Sequence, residues 1–325
     1  MLRKKISLIG SSDLSSYIAQ LILLKIITPL DLILVDVVEN FVKGTVMDLE
    51  HSATIFGIDV KIKGTNDLIN IKDSTIIIIA VGILRKPGMT NNDLLEVNGQ
   101  IMRSIGLAIK NFSPNSFVIC ITNPLDLMTN IVQDYASLKN NKIIGLAGSL
   151  NAARFKTLLA KKFNVSVNDI IVTLLGSNNY DIIPILNLTN ISGFDLNFLL
   201  QNKKITENEL IKLIDETKQS ENNIITLLGE KLSYHTTASG IIEIIDSFLL
   251  DKKKILSCSV NLNNTYYNIK NDIFYSIPVK IGNNGVEEII KINLTIKEQK
   301  LFDYAITCNM HLKKNWQLIK TNLNI

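Results

Sequence analysis

The sequence predicts an α/β chain, a doubly wound parallel sheet followed by an α+β second half. Three observations carry this. Short β-branched apolar runs recur through the first half, helix-length amphipathic segments separate them, and the rhythm changes after about Gly148. Residues 32–35, 76–81 and 117–121 are continuous apolar runs, and residues 6–9 and 143–146 are apolar but for Ser7 and Gly145. Such runs suit parallel strands that helices cover on both faces. Residues 14–26 and 97–111 have helical spacing. Beyond Gly148, residues 151–163 read as a helix and 169–188 as strands broken by Gly176. Residues 206–228 and 236–250 form two long helical stretches. Residues 256–260 and 274–281 read as antiparallel strands, with turn signals at Asn263-Asn264 and Asn283-Asn284-Gly285. A last helix begins at Lys297. The expected domains are 1–148 and 149–325, packed as one rigid body, since no repeat, Pro-rich linker or low-complexity tail separates them.

Composition bounds the function. A chain of 325 residues, 46% hydrophobic and 20% charged, has the profile of a compact folded protein with room for two modest domains. The net charge of +4 is small, and the basic run Lys252-Lys253-Lys254 reads as a solvated helix end. No nucleic-acid partner is expected. Cys120, Cys258 and Cys308 stand far apart without a CxxC, which argues against disulfides or a zinc site and fits a reducing compartment. The amino terminus lacks a signal-peptide pattern, and the longest apolar stretch, residues 75–84, is too short to span a bilayer. A cytoplasmic location with no membrane association is expected.

A dinucleotide fold needs a glycine-rich turn between its first strand and first helix, where the backbone approaches a pyrophosphate. Here the turn reads Ile9-Gly10-Ser11-Ser12-Asp13-Leu14-Ser15-Ser16. Only Gly10 of G-x-G-x-x-G remains; Ser12 and Ser15 take the other glycine positions, and Asp13 adds a negative charge. The second strand ends in Val35-Asp36, the right place and chemistry for an acid that holds adenosine ribose hydroxyls. An acid there favours NAD over the phosphorylated cofactor. The expectation is a Rossmann-type unit with weakened NAD binding; the alternative is a turn glycine and a strand-end acid with no cofactor.

Downstream motifs sharpen this. Leu84-Arg85-Lys86-Pro87-Gly88-Met89-Thr90, Ile121-Thr122-Asn123-Pro124-Leu125-Asp126 and Leu150-Asn151-Ala152-Ala153-Arg154-Phe155 together resemble the lactate/malate dehydrogenase family. The similarity is to its lactate-dehydrogenase-like branch of malate dehydrogenases. It continues through Asp251-Lys252-Lys253-Lys254-Ile255-Leu256 and Ile277-Pro278-Val279-Lys280-Ile281-Gly282, so it covers essentially the whole chain. The resemblance implies malate or oxaloacetate as substrate, NAD as cofactor and a homodimer or homotetramer. It implies that Arg154 grips the α-carboxylate, that Arg85 selects a four-carbon diacid, and that Asn123 approaches nicotinamide ribose and substrate oxygen. Gly82 joins Gly10, Ser12, Ser15, Asp36 and Asn123 in the implied cofactor set. No metal is implied.

The same resemblance locates what is missing. The family's base is a histidine, oriented by an aspartate, and an arginine on a mobile loop polarises the carbonyl. Asn178 stands at the histidine position, Asn151 at the aspartate position and Asn91 at the arginine position. No shift of register helps, because the histidines are His51, His235 and His311, and the next arginine after Arg85 is Arg103. An aspartate left in that half-buried slot without its histidine would be an unpaired charge, which the neutral Asn151 avoids. Losing base, orienter and polarising arginine removes at least ~10³-fold of rate. His235, in Ser233-Tyr234-His235-Thr236, is a candidate substitute base, weighed against a structural role in a helix cap. The expected function is a malate dehydrogenase-type oxidoreductase of weak or absent activity. The alternative is a non-catalytic homologue acting as an oligomer partner or dicarboxylate-binding protein.

Overall fold

The computed structural model describes residues 3–10, 12–26, 30–83, 90–177, 181–229, 233–263, 269 and 271–323, apart from the side chain of Asn91. The first half alternates strand and helix: β1 Lys4–Ile9, α1 Asp13–Lys25, β2 Leu30–Val35, α2 Glu39–Ile55, β3 Lys61–Thr65, β4 Ile76–Ile79, α3 Asn91–Phe112, β5 Phe117–Cys120, α4 Leu125–Ala136 and β6 Ile143–Gly145. The second half opens with α5 Gly148–Phe163. Five two-residue strands follow: β7 Ile170–Ile171, β8 Leu174–Leu175, β9 Ile183–Pro184, β10 Asn190–Ile191 and β11 Phe194–Asp195. Then come α6 Leu196–Gln201, α7 Glu207–Leu227, α8 His235–Leu249, β12 Lys254–Asn261, β13 Phe274–Gly282, β14 Gly285–Ile289 and α9 Ile296–Asn322.

Nine strands form one sheet in the order β14-β13-β12-β6-β5-β4-β1-β2-β3. The six first-half strands run parallel. β12 joins antiparallel through Ser259 opposite Gly145, so the second half extends the same sheet. Period-two alternation divides the core. Ile6, Leu8, Leu32, Leu34, Ile76 and Ile78 pack on one face with Ile18 and Ile22 of α1 and Ile241 and Ile244 of α8. Ile9, Ile33, Ile77 and Ile79 pack on the other with Met102 and Ile105 of α3 and Met128 and Ile131 of α4. A further cluster joins Phe155 and Leu159 of α5 to Leu210 and Leu213 of α7, which sets the two helices side by side.

The expected strands and helices are present with ends shifted by a few residues, α3 by six at its start. Seven elements carried no clear sequence signal, the short β10, β11 and α6 among them, and for the other four the physical reason is plain. β3 is a sheet-edge strand with charged flanks (Lys61, Lys63) and one buried residue, Ile62. β14 is the opposite edge. α2 exposes Phe41, Met47 and Ile55, which blurs its apolar stripe. α4 buries polar Asp126, Thr129, Asn130 and Gln133 along with its apolar residues, so its faces do not contrast. Each lysine of the Lys252-Lys253-Lys254 run faces a carboxylate: Asp246, Asp251 with Glu287, and Glu243 respectively. Among the described residues no helix is long and apolar enough to cross a membrane, and no cluster of His, Cys, Asp or Glu could hold a metal.

Candidate functional site

The sheet order places β1 between β2 and β4, so the chain reverses its direction of winding there. Such a switch point opens a crevice at the carboxyl ends of the strands. A 380 Å³ cavity lies there, lined by Gly10, Val35, Asp36, Val81, Ile101 and Ser104 among others. Gly10 has a φ of +104°, and a Cβ on it would lie 2.7 Å from the Ala80 carbonyl oxygen. Only glycine fits that turn without moving the next strand. Asp36 follows β2, and its Oδ1 accepts the Val38 N–H at 2.9 Å, which holds the carboxylate at the cavity mouth.

The remainder of the glycine turn is arranged differently. Ser12 is the N-cap of α1, and its Oγ accepts the Ser15 N–H at 3.4 Å. Ser15 is fully buried, with its Oγ 3.5 Å from that of Ser12. Asp13 is in the first turn of α1, where a negative charge suits the helix dipole. Ser12 thus satisfies one end amide from within the chain, and Asp13 adds negative charge, at the place where a helix of this fold offers its amides to phosphate.

On the other side of β4, Thr122 Oγ1 donates to the Val81 carbonyl at 2.6 Å. Gly82 packs against Thr122 so closely that a Cβ would lie 2.6 Å from its methyl group. Asn98, buried inside α3, accepts the Ile83 N–H at 2.8 Å and donates to the carbonyls of Ile83 and Asn123. It thereby ties the segments after β4 and β5 together. Asn123 is exposed and precedes a cis peptide to Pro124.

α5 brings Asn151 and Arg154 one turn apart on one face. Asn151 is only 1% exposed, so the slot expected to be half-buried is fully buried. Its Oδ1 accepts a hydrogen bond from Arg154 Nη1 at 2.8 Å. Arg154 Nη2 lies 3.4 Å from Glu221 Oε2 of α7, with the arginine side chain 11% exposed. Arg85 and Asn178 lie outside the described residues; Asn91 is the first residue of α3, with its side chain likewise outside them.

Arg103 is twelve residues along α3 from Asn91, roughly 18 Å by helical rise, and its guanidinium lies over the Tyr135 ring at 5.5 Å. His235 is the exposed first residue of α8, with its ring 5.0 Å from Tyr17 and 4.6 Å from Tyr234 between centroids. Tyr234, without a side-chain cap bond, is the N-cap of α8, and the ring contacts of His235 are packing at the helix start.

Ser177 precedes the Asn178 position and belongs to a buried polar network that sequence reasoning missed. Its hydroxyl accepts the Ser276 N–H at 2.9 Å and hydrogen-bonds the Asp126 carboxyl. Asp126 also accepts from Ser259 and from Asn309 Nδ2 of α9, the latter at 2.8 Å. Burial pushes this carboxyl from its ordinary 3.8 up to about 6, against the three hydrogen bonds that favour its charge. The unfolded chain releases this proton near pH 3.8, while the folded chain keeps it to about 6. The stability it supplies is therefore complete below the unfolded value and lost as pH rises through the folded one. Urea unfolding is expected to show Asp126→Asn gaining on the wild type by on the order of 2–3 kcal/mol between pH 4 and 7. A gap constant over that range would contradict the assignment.

Comparison with known proteins follows the same division of the chain. Residues 4–145 match the lactate/malate dehydrogenase NAD binding domain, and residues 148–322 match the lactate/malate dehydrogenase alpha/beta C-terminal domain. A malate dehydrogenase of Francisella tularensis subsp. novicida (strain U112) is 36% identical over 314 residues, 97% of this chain and 98% of the relative. The crystal structure of Cryptosporidium parvum malate dehydrogenase superposes with a TM-score of 0.90 at 32% identity, covering 97% of this chain and 99% of that one. The lactate dehydrogenase of Eimeria maxima with NADH and oxamate superposes at 0.92 and 32% identity, covering 99% and 96%. With both halves matched in order and the sheet shared between them, the chain belongs to the lactate/malate dehydrogenase family.

Proposed function

We propose that this chain keeps the family's NAD crevice and dicarboxylate grip, and interconverts malate and oxaloacetate weakly or not at all. The observation that carries this reading is the buried pair on α5. Asn151 is neutral, and its acceptor oxygen is already engaged by Arg154. A residue in that position has no carboxylate with which to orient or charge a base.

Oxidising a 2-hydroxy acid removes a hydride from carbon and a proton from oxygen; bound NAD would accept the hydride. In this reading Asp36 holds the adenosine ribose hydroxyls and Gly10 lets the backbone approach the pyrophosphate. Gly82 and Asn123 border the nicotinamide side. Arg154 grips the α-carboxylate as a bidentate fork, and Arg85 grips the distal one, which selects a four-carbon diacid over a lactate-like substrate. Proton transfer fails because Asn178 cannot titrate near neutral pH, and the Asn91 position offers no cation to polarise the carbonyl.

Cofactor binding is weakened for a separate reason. Ser12 occupies the Ser15 amide and Asp13 places a negative charge at the end of α1. Calorimetry is expected to give an NADH dissociation constant weaker than low micromolar; a low-micromolar value would contradict this part of the reading. The non-catalytic alternative, an oligomer partner, draws support from apolar side chains left exposed around α2. Val37 is 90% exposed, Ile55 83%, and Phe41 and Phe56 about half. A homodimer or homotetramer is expected in light scattering, and a monomer would remove that support.

A further inference from the structure

We propose that Glu221 is an internal competitor for the Arg154 fork, holding the guanidinium where a ligand carboxylate would bind and so lowering the affinity for dicarboxylates. The inference rests on the reading of Arg154 as a carboxylate grip and adds a residue that sets how strongly the grip works.

A mostly buried guanidinium requires negative charge nearby, since an uncompensated ion in a low-dielectric site is strongly disfavoured. Asn151 provides a hydrogen-bond acceptor at 2.8 Å and no charge. Glu221, 67 residues later in sequence, reaches across from α7 and supplies the charge. The helices are fixed side by side by Phe155 and Leu159 against Leu210 and Leu213, so the reach is built into the packing.

Two features make Glu221 replaceable. It carries the same functional group as the ligand it would exclude. Its side chain is 37% exposed, and its contact with Nη2 is long, at 3.4 Å. A free carboxylate that takes two parallel N–H bonds from the fork makes the stronger contact. The displaced Glu221 can turn to water with little desolvation penalty. Ligand binding is then an exchange of one carboxylate for another, which favours ligands able to engage both fork nitrogens. While Glu221 stays in place, its charge also opposes an approaching anion.

The test uses the full chain and malonate as probe, titrated by calorimetry with and without excess NADH, on the wild type, Glu221→Gln, Glu221→Ala and Arg154→Gln. Both Glu221 variants are expected to bind malonate about tenfold more tightly than the wild type. Arg154→Gln is expected to bind more weakly than the wild type. Thermal melts provide a second readout: malonate should raise the melting temperature of the Glu221 variants more than that of the wild type. If Arg154→Gln loses binding while both Glu221 variants bind no better than the wild type, the grip stands and the competitor role is overturned. If Arg154→Gln binds as the wild type does, the grip itself fails and the proposal falls with it.

Discussion

Restoring three side chains together (Asn178→His, Asn151→Asp and Asn91→Arg) is expected to raise kcat for oxaloacetate reduction by at least ~10³-fold. General base catalysis contributes ~10² to 10⁴-fold and a lost electrostatic donor ~10² to 10³-fold, but groups that act as a unit do not multiply. Single changes should therefore gain little. A histidine alone lacks the carboxylate that orients it. Aspartate alone at position 151 would meet the Arg154 guanidinium where Asn151 meets it now, and would add a second negative charge beside Glu221. That arrangement would hold Arg154 more tightly within the protein and weaken its grip on substrate. Single-turnover and steady-state assays of the singles and the triple would read this directly. A triple variant that binds NADH yet gains nothing would contradict the assignment of these positions.

The second large effect is on binding. Arg154→Gln is expected to weaken oxaloacetate binding by about 10²-fold or more, since truncating one partner of a buried, hydrogen-bonded charge pair typically costs about 2–5 kcal/mol. Arg154→Lys keeps the charge and loses the planar fork, so it should be intermediate, about tenfold weaker than the wild type. Calorimetry with oxaloacetate in excess NADH distinguishes these outcomes. Equal affinity for wild type and Arg154→Lys would show that charge alone, rather than bidentate geometry, provides the grip.

The fold was legible where burial on both faces wrote continuous or nearly continuous apolar runs, as in β1, β2, β4, β5 and β6. It was less so at the sheet edges, where β3 and β14 carry charge, and in α4, whose buried Asp126 and Gln133 disguise a helix that is covered on nearly every side. The two parts of the site differed in the same way. Gly10 and Asp36 follow local rules, a turn that needs a positive φ and an acid at a strand end, and they line one cavity. Ser12 was legible as a missing glycine, but its N-cap bond to Ser15 depends on the helix geometry that follows. Glu221 left no signal at all. It is one acid on a polar helix, and only the packing of α5 against α7 brings it to Arg154. Asn98 is similar: a mid-helix asparagine whose meaning lies in the Ile83 and Asn123 backbone that it ties together.

In the proposed reading, the retained crevice and grip serve a site unable to move the proton. Steady-state turnover of the unmodified protein with oxaloacetate and NADH tests it most directly. The expected rate is at least ~10³-fold below the roughly 10 s⁻¹ of a typical enzyme. Turnover within tenfold of that value would contradict it.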